Sequence, residues 1–162
     1  ISVSNIKVWV HATDANGIAW GAAGVRNTGD KVLAVDKIQI RGTDIPFSQW
    51  YTDTVVTSTL FQQSLNHTGW GTLPQIAKIG TCATDVTNYL CVDYDGSGAN
   101  TEVITGNAGT GPVSLAPGSS AVIYFKINNG TLTSLDSGLN TSVNIFAGKT
   151  GAPQSVTVQG KS

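Results

Sequence analysis

A chain of 162 residues is one domain in length: enough to bury a core, too short for two ordinary ones. Nine Lys and Arg against ten Asp and Glu leave a net charge of −1, which speaks against a nucleic-acid footprint and against an anionic membrane surface. Charged residues are only 12% of the chain, Glu102 is the only Glu and Met is absent, so polarity comes from Gly, Thr, Ser and Asn; with strong helix formers scarce, 40% hydrophobic content points to an all-β protein rather than a disordered one.

The chain opens at Ile1 without an initiator Met, which leads us to expect a processed or trimmed piece; its longest weakly polar run, Ile18 to Val25, is too short to span a bilayer. Val3 to Val10 alternates, with Ile6, Val8 and Val10 on one face and Lys7 and Trp9 on the other, the period of a half-buried strand. Ile18 to Asn27 and Val32 to Arg41 flank Asn27-Thr28-Gly29-Asp30, residues that supply turn geometry, so this pair is expected to form a hairpin or a tight sheet corner. Leu33 and Val35 are out of phase with Ile38 and Ile40, and a β-bulge near Asp36-Lys37 would return both pairs to one face.

Phe47 to Thr59 is aromatic and β-branched, but beyond Leu60 the pattern dissolves into some forty residues rich in Gly, Thr, Asn and Asp, which read as a long loop. Order returns at Glu102 to Thr105, then Val113 to Leu115, a Pro117-Gly118 turn, and Ala121 to Ile127, whose alternating residues are apolar on both faces. Thr131 to Leu139 has room for one helical turn. Ser142 to Ala147, the turn Gly148-Lys149-Thr150-Gly151, and Pro153 to Gln159 read as a closing hairpin. About eight strands with this punctuation suggest a single domain over residues 1–162: an antiparallel two-sheet β-sandwich, immunoglobulin-like, with its long middle loops at one end, away from the N-terminus.

Two cysteines, Cys82 and Cys91, would close a ten-residue loop, and no His lies near enough to suggest a metal site. A disulfide is the preferred reading over two reduced, buried thiols. It would stabilise by about 2.7 kcal/mol in the chain-entropy view and imply an oxidising compartment, unless the source is a hyperthermophile. Asp93-Tyr94-Asp95-Gly96-Ser97-Gly98 opens like a calcium loop, with Asp93, Asp95 and Ser97 at alternate positions and a Gly at the sharp turn. The bidentate Glu expected at the twelfth position is replaced by Ile104, so an Asx-rich turn is the favoured alternative, and no cofactor is required.

Asn66, Asn129 and Asn140 each begin an N-x-S/T sequon and are candidate glycosylation sites, no more numerous than composition predicts. Trp50 and Tyr51 are candidate glycan-stacking residues, set against the commoner reading of buried sandwich aromatics. No nucleophile elbow, zinc-protease helix motif or phosphate-cradling loop occurs, and His11 and His67 lack supporting clusters, so catalysis is not expected.

Three segments together carry a resemblance. Val25-Arg26-Asn27-Thr28-Gly29-Asp30-Lys31-Val32 continuing through Ile38-Gln39-Ile40-Arg41-Gly42, the Leu115-Ala116-Pro117-Gly118-Ser119 turn into a hydrophobic strand, and the closing hairpin resemble the extracellular β-sandwich of archaeal type IV pilin-like proteins, including archaellins. The likeness spares residues 60 to 100, and the family's N-terminal hydrophobic helix is not in this sequence. The resemblance implies the head domain of a subunit in an extracellular archaeal filament (archaellum or type IV pilus-like), often glycosylated. Such a head self-associates into a homopolymer through its missing N-terminal helix, and has no nucleic-acid partner and no membrane contact of its own. The alternative is a carbohydrate-binding or adhesin module of a secreted or cell-surface protein.

Overall fold

The computed structural model describes residues 2–11, 19–53, 66–71, 76–78, 89–93, 102–104, 112–127, 130–148 and 150–161. Among these the regular structure is thirteen strands and two short 3-10 turns, with no α-helix. The all-β expectation holds.

In β1 (Ser2–His11) alternation turns Val8 and Val10 inward. Its register against β2 (Ala19–Arg26) shifts between Ser4 and Lys7, and that extra residue lets both Val3 and Ile6 pack on the same core. The alternation at β1 predicts only one buried face, yet Trp9 is buried as well. Of the two geometries expected at Asn27-Thr28-Gly29-Asp30, the hairpin does not form. β2 pairs instead with β1 and with all eight residues of β11 (Ser120–Ile127), while β3 (Leu33–Ile40) pairs with β10 (Val113–Leu115) and β12 (Asn140–Ala147), so the turn is a corner between distant parts of the sheet.

The bulge in β3 is present. Lys37 faces Phe146 and Val35 faces Ala147, leaving Asp36 unmatched; Val35, Ile38 and Ile40 are all buried while Asp36 and Lys37 stay exposed. The short β4 (Thr43–Asp44) folds back on β3, and after a 3-10 turn at Phe47–Gln49, β5 (Trp50–Asp53) pairs with β11. The closing hairpin also forms: β12 pairs antiparallel with the first part of β13 (Thr150–Lys161), Ala147 opposite Thr150. Ser134–Asp136 supplies the single helical turn expected between β11 and β12.

The sheet order is β10-β3-β12-β13-β1-β2-β11-β5, with β4 on β3. β13 is the joint. Its residues 150–157 pair with β12, and Val158 to Lys161 then run parallel to Val8 to His11 of β1, so one mixed sheet curls round a single cluster. Ile38, Ile40, Val143 and Ile145 from one end meet Ala23, Val25, Ile123 and Phe125 from the other. The expected purely antiparallel arrangement is corrected by this parallel pair, which exists because β13 changes partner partway along.

The described residues within 66–104 correct the expectation of a long loop. β6 (Asn66–Gly71), β7 (Ile76–Lys78), β8 (Tyr89–Asp93) and β9 (Glu102–Ile104) form a second, four-stranded sheet in the order β6-β8-β7-β9, with β7 and β8 parallel. Strands of three to six residues are too short to show a period; pairing with distant partners defines them. The segment that carries them leaves β5 at Asp53, opposite Val122, close to Ser120, whose partner Arg26 also faces Ser2. The expected placement of the middle loops at one end, away from the N-terminus, falls on residues outside the described ones. As expected, β11 is buried on both faces: Ile123, Phe125 and Ile127 join the main cluster, and Val122 and Tyr124 are buried on the opposite side with Trp9, Trp20 and Ala22.

Candidate functional site

The two segments that carry most of the family resemblance meet at one end of the curled sheet. Asn27 leaves β2 with its side chain buried, and every polar group on it finds a partner. Its Nδ2 donates to the Lys31 carbonyl at 2.7 Å and to the Leu115 carbonyl at 2.9 Å, and its Oδ1 accepts from the Gly29 N–H at 2.9 Å. Its backbone N–H donates to the Ser119 carbonyl at 3.0 Å, and its carbonyl accepts from the Gly118 N–H at 2.8 Å. One asparagine thus fastens the 27–31 corner to the 115–119 turn, in which Gly118 takes the left-handed φ of 78° that Pro-Gly turns use.

At the opposite end, a second polar knot closes the β11–β12 connection. The Thr133 N–H donates to Asp136 Oδ2 at 2.8 Å, the return half of a capping box around the 3-10 turn, and Arg41 donates to Asp136 Oδ1 and, at 3.2 Å, to the Thr131 carbonyl. The Thr133 N–H, and then the Arg41 guanidinium working against partial burial, holds the Asp136 carboxyl below its ordinary pKa. Leu132 beneath is fully buried, while Leu135 and Leu139 on the same connection are 86% and 55% exposed. Val32, 64% exposed, follows the corner at the other end. A second ion pair, Lys37 with Asp44 at 3.9 Å, is solvent-exposed. Burial on β11 lowers the pKa of Lys126.

The sequence-derived candidates are spread out. Trp50 is not a sugar platform: its ring is fully buried, stands edge-on to Phe47 at 4.8 Å, and its Nε1–H donates to the Ile45 carbonyl at 3.0 Å, so no ring face is available for stacking. Tyr51 has its backbone paired with Tyr124 on β11. Cys91 is on β8, its backbone opposite Gly69 and Ala77; Cys82 lies outside the described residues, as do Asp95, Ser97 and Asn129. Asp93 ends β8 opposite Asn66, which begins β6, so the first calcium-loop candidate and the first sequon sit across a strand pair. Asn140 begins β12 exposed, its Oδ1 accepting from the Thr157 hydroxyl at 2.9 Å.

The Asn27 clamp and the Asp136 knot are the sites that sequence reasoning missed. For Asp136 the signal was present in the T-x-x-D spacing of Thr133 and Asp136; for Asn27 nothing local distinguishes a clamp from an ordinary turn residue. Among the described residues no helix is long and apolar enough to cross a membrane. No protein-family model matches this chain, and no curated protein sequence matches it.

Proposed function

We propose that this chain is the head domain of a structural subunit of an extracellular archaeal filament, of the archaellum or type IV pilus-like kind, with no catalytic role. The curled sheet is then an immunoglobulin-like two-layer sandwich whose layers are joined through β13. The observation that carries this reading is the Asn27 clamp. The two segments that resemble pilin-like heads, 88 positions apart where Asn27 meets Leu115, form one hydrogen-bonded unit, which supports reading them together.

Two further features suit it. β1 is an interior strand of the sheet order, paired with β2 along its length and with β13 from Val8 onward, so a helix preceding it would pull on a strand anchored well inside the sheet. The surface is poor in charge and presents Val32 at one end and Leu135 and Leu139 at the other, which gives heads an apolar, salt-insensitive way to touch. The glycan-binding alternative loses Trp50, one of its two stacking candidates, to burial.

The test is to read the native gene upstream of Ile1 and to image the whole protein. A basic leader and an apolar segment of about twenty residues running into Ile1, with filaments formed by the natural chain and weakened by Leu135→Asp with Leu139→Asp, is the expected result. A cleavable secretion signal or a second folded domain directly upstream overturns it.

A further inference from the structure

A cleft opens where the sheet divides. β1 and β13 pair only from Val8 and Val158 onward; before that point β1 pairs with β2 alone and β13 with β12 alone, and no described strand occupies the facing edges. Between them lies a cleft of about 390 Å³. Ile6 and Val156, both packed against the core, form its apolar floor, and Lys7, Gln154, Thr157 and Gln159 line it with hydrogen-bonding groups.

A strand edge offers alternate N–H and C=O groups with no partner, the feature that strand addition exploits. Here two such edges run in the same direction on either side of one cleft, so an inserted strand pairs in the same sense with both. Pro153, opposite Asn144 on β12, has no N–H to offer and sets the limit of the β13 edge; because alternate residues face alternate sides and Val158 bonds toward β12, Ser155 and Thr157 are left to bond across the cleft. Among the described residues, Lys7 is the only charged one lining the cleft, and it has no carboxylate partner. Among the described residues no aromatic ring lines the cleft, which disfavours a sugar.

We propose that this cleft binds an extended segment of a partner polypeptide by strand addition, one acidic side chain of the segment meeting Lys7 and one apolar side chain covering Ile6 and Val156. The reading stands apart from the filament proposal and does not depend on it.

The test titrates the isotope-labelled whole chain with the acetylated, amidated hexapeptide Thr-Val-Asp-Val-Thr-Val and follows it by NMR. Saturable shifts at Ile6, Lys7 and Gln154 to Thr157 are expected, with amide exchange at Ser155 and Thr157 slowed about tenfold or more. The same peptide N-methylated at alternate residues keeps its side chains but loses ladder donors, and should bind at least about tenfold more weakly. Lys7→Glu should weaken binding about fivefold, and replacing the peptide's Asp with Lys should restore it to that variant. Absence of saturable binding at millimolar peptide, equal affinity for the N-methylated peptide, or filling of the cleft by a neutral hexasaccharide instead of the peptide overturns the proposal.

Discussion

Asn27 is a turn residue by type and a core residue by position. Its amide replaces water for three backbone groups at once, so truncation strands the Leu115 carbonyl in a buried setting and the Lys31 carbonyl and Gly29 N–H in a half-buried one. Asn27→Ala should therefore destabilise by about 2–4 kcal/mol in urea unfolding, far more than an exposed turn substitution. Asp136 adds a pH dependence. Its pKa is lowered in the folded state relative to the ordinary 3.8, so the stability it contributes is complete above that value and is lost as pH falls through the lower folded one. Asp136→Asn should cost about 1 kcal/mol at neutral pH, and the melting curves of the two proteins should converge in strong acid. A gap that persists unchanged below pH 3 would assign the effect to packing instead. For the calcium-like loop, millimolar calcium should raise the melting temperature and Asp93→Ala with Asp95→Ala should abolish the increment; no shift returns the loop to a plain turn.

At the scale of elements, the β3 bulge shows how a sequence states a backbone irregularity. Two apolar pairs of opposite phase, Leu33 with Val35 and Ile38 with Ile40, can share a face only if one residue between them is taken out of the ladder, and Asp36 is that residue. Deleting Asp36 should turn either Val35 or the Ile38–Ile40 pair toward solvent and cost about 3 kcal/mol or more, with the loss appearing as exposed apolar surface in dye binding. The β2–β11 pair is pinned by shape as well: Phe125 faces Gly21 across the ladder, and a Cβ at Gly21 would overlap its ring. Such devices are legible because they act between neighbours or impose a period. The strands β6 to β9 are not, being too short to carry one and set in a stretch rich in Gly, Thr, Asn and Asp.

At the scale of the molecule, closure depends on the last residues meeting the first. Val158 is buried, its N–H donates to the Leu139 carbonyl at 2.8 Å, its carbonyl accepts from the Gly138 N–H at 2.8 Å, and with the three residues after it, it supplies the parallel partner of β1. Truncation after Thr157 should remove cooperative unfolding altogether, leaving an expanded, dye-binding state. A truncated chain that melts as sharply as the whole one would mean the curl is closed by other contacts. Because the joint links residues about 150 positions apart, loop closure precedes its reward, and folding should fall in the slow range of β-rich domains, about milliseconds to seconds.

By itself the sequence determined the all-β character, the core-facing residues of β1, β3 and β11, the bulge at Asp36-Lys37, the Pro117-Gly118 turn and the closing hairpin. Each of these follows from composition, a period of two, or the local geometry of Asn, Pro and Gly. Only the tertiary structure decided that the Asn27 turn is a corner and not a hairpin, that β13 changes partner and runs parallel to β1, that Trp50 faces the core, and that the described residues within 66–104 contribute a second sheet. Those outcomes rest on contacts between residues far apart in the chain, where several partners are compatible with the same local pattern and burial of the whole set selects among them.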